Sequence, residues 1–209
     1  MPEPGAAAGS GAHRIRRLRW FDIPAVAALD AEIFGPDAWS TEYYWAAVAT
    51  PGQSFVVIEA SAGAAGGDAP GSDATQRQAG LVPVSRDPGA IVGFAGLGIS
   101  GPQADVLTLA AHPAARGRGI GRALLTHLLD AAREAGCEVI HLDVRSDNTA
   151  AHGLYTAHGF TELDRRPGYY TGADAVVMRA FLWPGVLGAV SRALASSWSG
   201  TTSEFRERS

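Results

Sequence analysis

The segment from Val106 to Leu125 (Val-Leu-Thr-Leu-Ala-Ala-His-Pro-Ala-Ala-Arg-Gly-Arg-Gly-Ile-Gly-Arg-Ala-Leu-Leu) constrains this chain more than any other. An apolar stretch of strand character, Val106 to Ala111, enters a turn of glycine and arginine, and the turn opens a helix. A strand that ends where a helix begins aims several backbone N–H groups and the positive helix end at one point. That makes an anion site, with phosphate the foremost candidate. Glycines let the backbone approach closely and accept positive φ. Arg116, Arg118 and Arg122 add charge that pairs with phosphate oxygens.

What the chain lacks narrows the kind of phosphate. It has no lysine; all 17 basic residues are arginine. A Walker-type phosphate loop and a Schiff-base lysine are therefore excluded. A literal Gly-x-Gly-x-x-Gly occurs at Gly96, Gly98 and Gly101, but Pro102 and another strand-like run follow it, so a dinucleotide site fails on context. The remaining pattern is Arg116-x-x-Gly119-x-Gly121 between strand and helix. It resembles the Gln/Arg-x-x-Gly-x-Gly/Ala pyrophosphate loop of the GNAT N-acetyltransferase family, which binds acetyl-CoA. Taken alone, these six residues leave an ordinary glycine-rich turn as an equal alternative.

The chain has 209 residues, 46% hydrophobic and 18% charged, which is material for one domain around one core. A net charge of −4 argues against nucleic-acid binding and suits a basic peptide substrate. The single cysteine, Cys137, excludes an internal disulfide and fits a reducing, cytoplasmic setting. No apolar run approaches a membrane span, so no membrane partner is expected. Arg14, Arg16, Arg17 and Arg19 are not followed by the apolar stretch of a signal peptide.

Residues 1–13 are expected to be a flexible tail, 14–182 a domain and 183–209 a second tail in which Val186, Leu187, Val190 and Leu194 could form a short amphipathic helix. Within the domain, 61–89 read as a disordered low-complexity insertion, because Ala, Gly and Pro make up 15 of those 29 residues and no periodicity is visible. Strands are expected at Ile15–Trp20, Phe55–Ile58, Ala90–Ile99, Ala104–Ala111, Val139–Val144, Phe160–Leu163 and Ala175–Phe181. Helices are expected after Asp22 as cap, after Ser40 as cap, over Gly117–Ala135 up to Gly136, and over Asn148–His158 up to Gly159. The order β-α-α-β-β-β-α-β-α-β-β predicts an α+β fold, a mixed sheet of about seven strands flanked by helices in three α/β/α layers.

Three further segments resemble the same family. Leu142-Asp143-Val144-Arg145-Ser146-Asp147-Asn148 is similar to its L-E-V-R-x-x-N strand end. Ala151 to Phe160 is similar to its A-x-x-L-Y-x-x-x-G-F helix, and Tyr169-Tyr170, Asp174-Ala175 and Met178 to its Y-Y…D-A-x-x-M hairpin. With Phe34-Gly35-Pro36-Asp37-Ala38-Trp39-Ser40, these resemble the branch that acetylates the N-terminal alanine of a small-subunit ribosomal protein. The resemblance runs from about Ile15 to Leu182, omitting 61–89, and its acetyl-CoA half is the more specific.

It implies that the backbone of Leu109, Ala110 and Ala111 bonds the cofactor's pantetheine arm. Gly117, Arg118, Gly119, Ile120, Gly121 and Arg122 would hold the pyrophosphate, and Asn148 would orient the cofactor. Tyr155 would protonate the leaving thiolate, the alternative being an amphipathic core tyrosine. Trp39, Tyr169 and Tyr170 would wall the peptide pocket, or only pack. The family's general base is glutamate; here the position is Asp143, one methylene shorter. Asp143 then acts directly, through a water relay, or only organises the strand end. The demand on the base is modest, since an α-amine is already roughly 10% neutral at pH 7 whereas a lysine amine is below about 0.1%. His112, His127, His141, His152 and His158 have no metal-ligand spacing.

Three functions follow in order: an acetyl-CoA-dependent N-α-acetyltransferase of a protein terminus, an acetyltransferase of small amines, and a cofactor-binding regulatory module without turnover.

Overall fold

The computed structural model describes residues 13–60 and 89–182; residues 1–12 of the expected first tail, 61–88 of the expected insertion and the expected second tail lie outside them, while His13, expected in the first tail, belongs to a strand. Seven strands form one mixed sheet: β1 (His13–Arg17), β2 (Gln53–Ala60), β3 (Ile91–Ser100), β4 (Gln103–Ala111), β5 (Val139–Arg145), β6 (Thr161–Tyr170) and β7 (Ala173–Phe181). Their order across the sheet is β1-β2-β3-β4-β5-β7-β6. Every neighbouring pair is antiparallel except β4 and β5. Four helices cover it: α1 (Ile23–Phe34), α2 (Thr41–Ala49), α3 (Ile120–Glu134) and α4 (Thr149–Ala157).

Alternation along the strands produces the three layers. In β2, Val56 and Ile58 join one buried cluster with Leu124, Leu128 and Tyr155 of α3 and α4. Phe55 and Val57 join the other, with Val26, Leu29 and Tyr44 of α1 and α2. Helix α3 buries Ile120, Leu124, Leu125, Leu128, Leu129 and Ala132 along one side, as its 3.6-residue period demands. It ends in a Schellman turn: Gly136 takes φ 78°, its N–H donates to the Arg133 carbonyl (3.0 Å), and the Cys137 N–H donates to that of Ala132 (2.9 Å).

Gly96 and Gly98 lie inside β3, and Gly101 at φ 57° turns the chain into β4, so the Gly-x-Gly-x-x-Gly pattern is a strand and its hairpin. At Gly96 a Cβ would come within 2.5 Å of the Phe55 ring. That glycine makes room for an aromatic residue of the core.

Several boundaries differ from the sequence reading. The first strand is His13–Arg17, and Trp20 instead begins a 3₁₀ turn, Trp20–Asp22. Asp22 makes no capping bond to α1; its carboxylate accepts from Arg16 and from the Arg19 N–H. Helix α3 starts at Ile120 rather than Gly117, because Gly117 and Gly119 sit at φ 76° and 79°. Strand β6 runs ten residues to Tyr170 rather than stopping at Leu163. It is an edge strand, exposed along almost its whole length, and so lacks the apolar alternation that marks a buried strand.

Candidate active site

The site begins where the sheet parts. β4 and β5 pair only at Gln103–Val139, Ala104–Ile140 and Asp105–His141. Beyond Asp105 the register of β4 with β3 shifts, from Leu97–Val106 to Gly96–Thr108, leaving Leu107 as an extra residue. Such a bulge bends its strand. From Val106 to Ala111, β4 therefore keeps its bonds to β3 and has no ladder partner on its β5 side.

The gap opens a cleft of about 1240 Å³. Leu109, Ala110 and Ala111 line it from β4, Leu142 to Arg145 from β5, and Gly117, Gly119, Ile120, Gly121 and Arg122 from the start of α3. Arg116 lines it as well; Arg118 does not. The first hydrogen bond of α3 runs from the Ala123 N–H to the Gly119 carbonyl (2.9 Å). The N–H groups of Ile120, Gly121 and Arg122 precede it and have no partner within the helix. The N-cap residue, Gly119, offers no capping side chain. A Cβ on Gly117 or Gly119 would meet nothing within 4 Å, so these glycines serve the left-handed backbone rather than packing.

Tyr155 reaches the cleft from α4. Both ends of that helix are fixed by residues of the sequence motif. Asn148 caps the start, its Oδ1 accepting from the Ala151 N–H (3.1 Å). The end is a second Schellman turn, with Gly159 N–H donating to the Thr156 carbonyl (3.0 Å) and Phe160 N–H to that of Tyr155 (3.1 Å). The apolar contact that accompanies such a turn is Phe160 against Tyr155, ring centroids 5.7 Å apart. The Gly-Phe pair thus seats Tyr155, which is 7% exposed. Burial, with Tyr170 nearby, pushes its phenol well above the ordinary value. It stays protonated across the physiological range, which suits a proton donor rather than a base.

Asp143 lines the cleft and also a second groove of about 740 Å³, whose other lining includes Leu163, Arg166 and Tyr169. Its Oδ2 accepts from the Arg166 guanidinium at 3.0 Å. Arg166 in turn lies 5.7 Å from the centre of the Tyr169 ring. Tyr170 lines both spaces and sends a long hydrogen bond, 3.4 Å, to the Asp143 carbonyl. Burial, then the Asp143 carboxylate, raise its phenol to about 12. Tyr169 lines only the groove and is 57% exposed. Trp39 also lines both spaces, and its backbone N–H is held by the buried Asp30 carboxylate (2.5 Å).

Of the residues expected from sequence, the cleft gathers all but Arg118 and Tyr169, and the groove takes Tyr169. Sequence reasoning did not single out Arg166, Asp30, Asp37 or Thr171. Asp37 and Thr171 are 134 positions apart, so no local pattern announces them. Among the described residues no cluster of three or more His, Cys, Asp or Glu side chains could hold a metal ion. None of their helices is long and apolar enough to cross a membrane.

A family model described as the acetyltransferase (GNAT) family matches residues 20–160. The N-alpha-acetyltransferase RimI of Mycobacterium tuberculosis is 46% identical over 101 residues, which are 46% of this chain and 62% of that protein. The stretches shared with this and other curated relatives range down to 26% of the relative's length, so the sequence matches span less than two thirds of these curated relatives. Among solved structures, the ribosomal-protein-alanine N-acetyltransferase of Escherichia coli superposes with a TM-score of 0.63 at 23% identity, covering 83% of this chain and 96% of that one. An acetyltransferase of Salmonella typhimurium solved with acetyl-CoA superposes at 0.60 and 22%, covering 83% and 95%. At these identities the likeness establishes the fold.

Proposed function

This chain belongs to the acetyltransferase (GNAT) family, and we propose that it transfers an acetyl group directly from acetyl-CoA to the N-terminal α-amine of a protein. Alanine is the preferred terminal residue, and a small-subunit ribosomal protein is the leading candidate substrate. The observation that carries the reading is the parting of β4 from β5, which opens a cleft onto the start of α3 beside a second groove, the two sharing Asp143 in their lining. The names of the mycobacterial and E. coli proteins above support the terminal amine as acceptor.

The described residues fit acetyl-CoA on two counts. The N–H groups at the start of α3, which have no partner within the helix, suit a pyrophosphate with Arg116 and Arg122 beside them. The freed edge of β4 offers amide groups to a pantetheine arm. Bound there, acetyl-CoA supplies an activated acetyl thioester.

The amine approaches from the groove. Asp143 borders both spaces, so its carboxylate attracts the ammonium form and takes its proton, directly or through a water, before the neutral nitrogen attacks; as the C–N bond forms and the C–S bond breaks, the nitrogen's second proton is released to solvent or returned to the phenolate of Tyr155. Tyr155 lines the cleft and not the groove, so its proton serves the thiolate that leaves on that side.

One peptide carrying both a free N-terminal alanine and an internal lysine tests the substrate. With acetyl-CoA and the full chain, mass spectrometry should place the acetyl group on the terminal amine. Acetylation mainly of the lysine, or of neither, overturns the assignment.

A further inference from the structure

Four of the chain's 17 arginines fall between His13 and Asp22, a stretch with one acidic residue, Asp22 itself. The stretch comprises β1, at one outer edge of the sheet, and the 3₁₀ turn Trp20–Asp22 that follows it. Arg16 is spent within the fold: it pairs with Asp22 and with Glu59, each at 2.6 Å, and so takes up both carboxylates. Arg14, Arg17 and Arg19 are exposed, and among the described residues no carboxylate pairs with them.

Beside these charges stand two rings. Trp20 is 68% exposed and Phe21 52%. They meet edge to face at 5.6 Å, and the Arg19 guanidinium carbon lies 5.6 Å from the centre of the Phe21 ring. The backbone beneath them is pinned. The Leu18 N–H donates to the Phe55 carbonyl (2.9 Å), the Asp22 N–H to the Arg19 carbonyl (2.9 Å), and the Arg19 N–H to the Asp22 carboxylate (2.7 Å). Leu18 on one side and Asp22 and Ile23 on the other are buried, so the anchors go inward and the rings between them stay in water. Two adjacent large rings presented in this way make a patch rather than a scattered surface residue. None of the exposed arginines or rings lines the cleft or the groove.

A fitting occupant uses guanidinium charge and ring faces together. An acidic peptide would pair with the arginines and leave the rings idle. A bilayer would take the rings, but a three-residue turn lacks the long apolar face by which a helix lies in a membrane. Single-stranded nucleic acid uses both: its phosphates meet the guanidiniums, and its unpaired bases stack on the rings. The net charge of −4 belongs to the whole chain and does not describe this face, whose carboxylates are neutralised by Arg16.

We propose that Arg14, Arg17 and Arg19, with Trp20 and Phe21, form a docking surface for single-stranded RNA outside the acetyl-transfer site. The choice of RNA over DNA rests on the ribosomal acceptor proposed above, because a ribosomal protein is met beside RNA; the charge and the rings do not depend on it. Stacking tolerates any base, so the surface holds RNA with little sequence preference.

The test is fluorescence anisotropy of labelled oligouridine and oligodeoxythymidine of about twelve nucleotides, titrated with the full chain. Excess acetyl-CoA is present so that the arginines of the cleft are not counted. Wild type should bind the RNA with a log–log salt slope of about −2, as three phosphate contacts require. Trp20→Ala should weaken binding about tenfold. Arg17→Gln should weaken it and reduce the slope by about 0.7. If Trp20→Ala does not fold, Arg17→Gln, altered only at an exposed side chain, decides through the slope. No RNA binding by wild type at low salt, or folded variants that bind as wild type does, overturns the inference. Tighter binding of the DNA overturns the choice of RNA. Binding to phosphatidylglycerol vesicles that depends on Trp20, with none to RNA, gives the surface to a membrane and overturns the inference too. None of these readouts uses acetyl transfer, so their failure leaves the functional reading standing. A chain that binds RNA through Trp20 and acetylates no terminus overturns that reading and not the surface.

Discussion

At the scale of the residue, Tyr155 shows how a short motif becomes a positioned group. Its ring is pinned by Phe160 in the Schellman turn that Gly159 permits at φ 85°. Its hydroxyl belongs to a buried phenol whose proton is held tightly. Replacing it with phenylalanine deletes the hydroxyl that the proposed reaction uses as its proton donor and keeps the packing. Tyr155→Phe should therefore bind acetyl-CoA as wild type does while kcat falls on the order of 10²-fold. Calorimetry and a thiol-release assay separate the two quantities, and an unchanged kcat would make Tyr155 a core residue only. The sequence made this residue legible because its cap, its turn and its packing partner all lie between Asn148 and Phe160. The surroundings of Asp143 were not legible in the same way. Arg166 is 23 positions away on an edge strand, and only the folded sheet brings the two charges to 3.0 Å.

At the scale of the element, the helices and buried strands carry their own signals of period and cap, whereas the exposed edge does not. Ser40 illustrates the first case: its Oγ accepts from the Tyr43 N–H (3.2 Å), as the Ser-Thr-Glu start of α2 predicts. Asp22 illustrates where local reading stops, since its dominant partner is Arg16 of β1 and not a helix N–H. Arg16 bridges Asp22 (2.6 Å) and Glu59 of β2 (2.6 Å), tying the first strand and the entry of α1 to the sheet. Burial alone would raise the Asp22 carboxyl; the Arg16 guanidinium and the Arg19 N–H outweigh it and hold the group below its usual value. A carboxylate depressed in the folded state stabilises fully above its unfolded pKa of about 4, and that contribution is lost as pH falls through the folded value. Asp22→Asn should therefore cost about 2 kcal/mol near neutral pH, or roughly 4–8 °C in Tm. Thermal unfolding of both proteins at decreasing pH checks the sign: the gap should narrow below about pH 4 as the wild-type carboxylate protonates. A gap independent of pH would show that the side chain matters for packing and not for charge.

At the scale of the whole molecule, the two described stretches form one sheet whose chain is continuous in space across the segment 61–88. The Ala60 N–H donates to the Ala90 carbonyl (2.9 Å), and the Gly89 N–H donates to that of Ala60 (3.2 Å). Glu59 is already paired with Ile91, so β2 and β3 arrive at this point as the two arms of a hairpin. The register that places β4, and with it the cleft, is set by β3 against β2 and by the bulge at Leu107, all within described residues. Replacing 61–88 by a two-residue Asn-Gly turn would then satisfy the same ends with a far shorter loop, and a shorter loop has less closure entropy to lose on folding. The composition of 61–89, more than half Ala, Gly and Pro, gives little apolar area to set against that loss. The shortened protein should keep its Tm or gain a few degrees, on the order of 1 kcal/mol. Its thiol-release rate with acetyl-CoA and a peptide beginning with alanine should stay within about twofold of wild type, because no residue lining the cleft or the groove is touched. Differential scanning calorimetry and the assay are read together. Activity lost with Tm preserved would place the excised segment at the active site as a working part, and a fall in Tm would show that it contributes to the core.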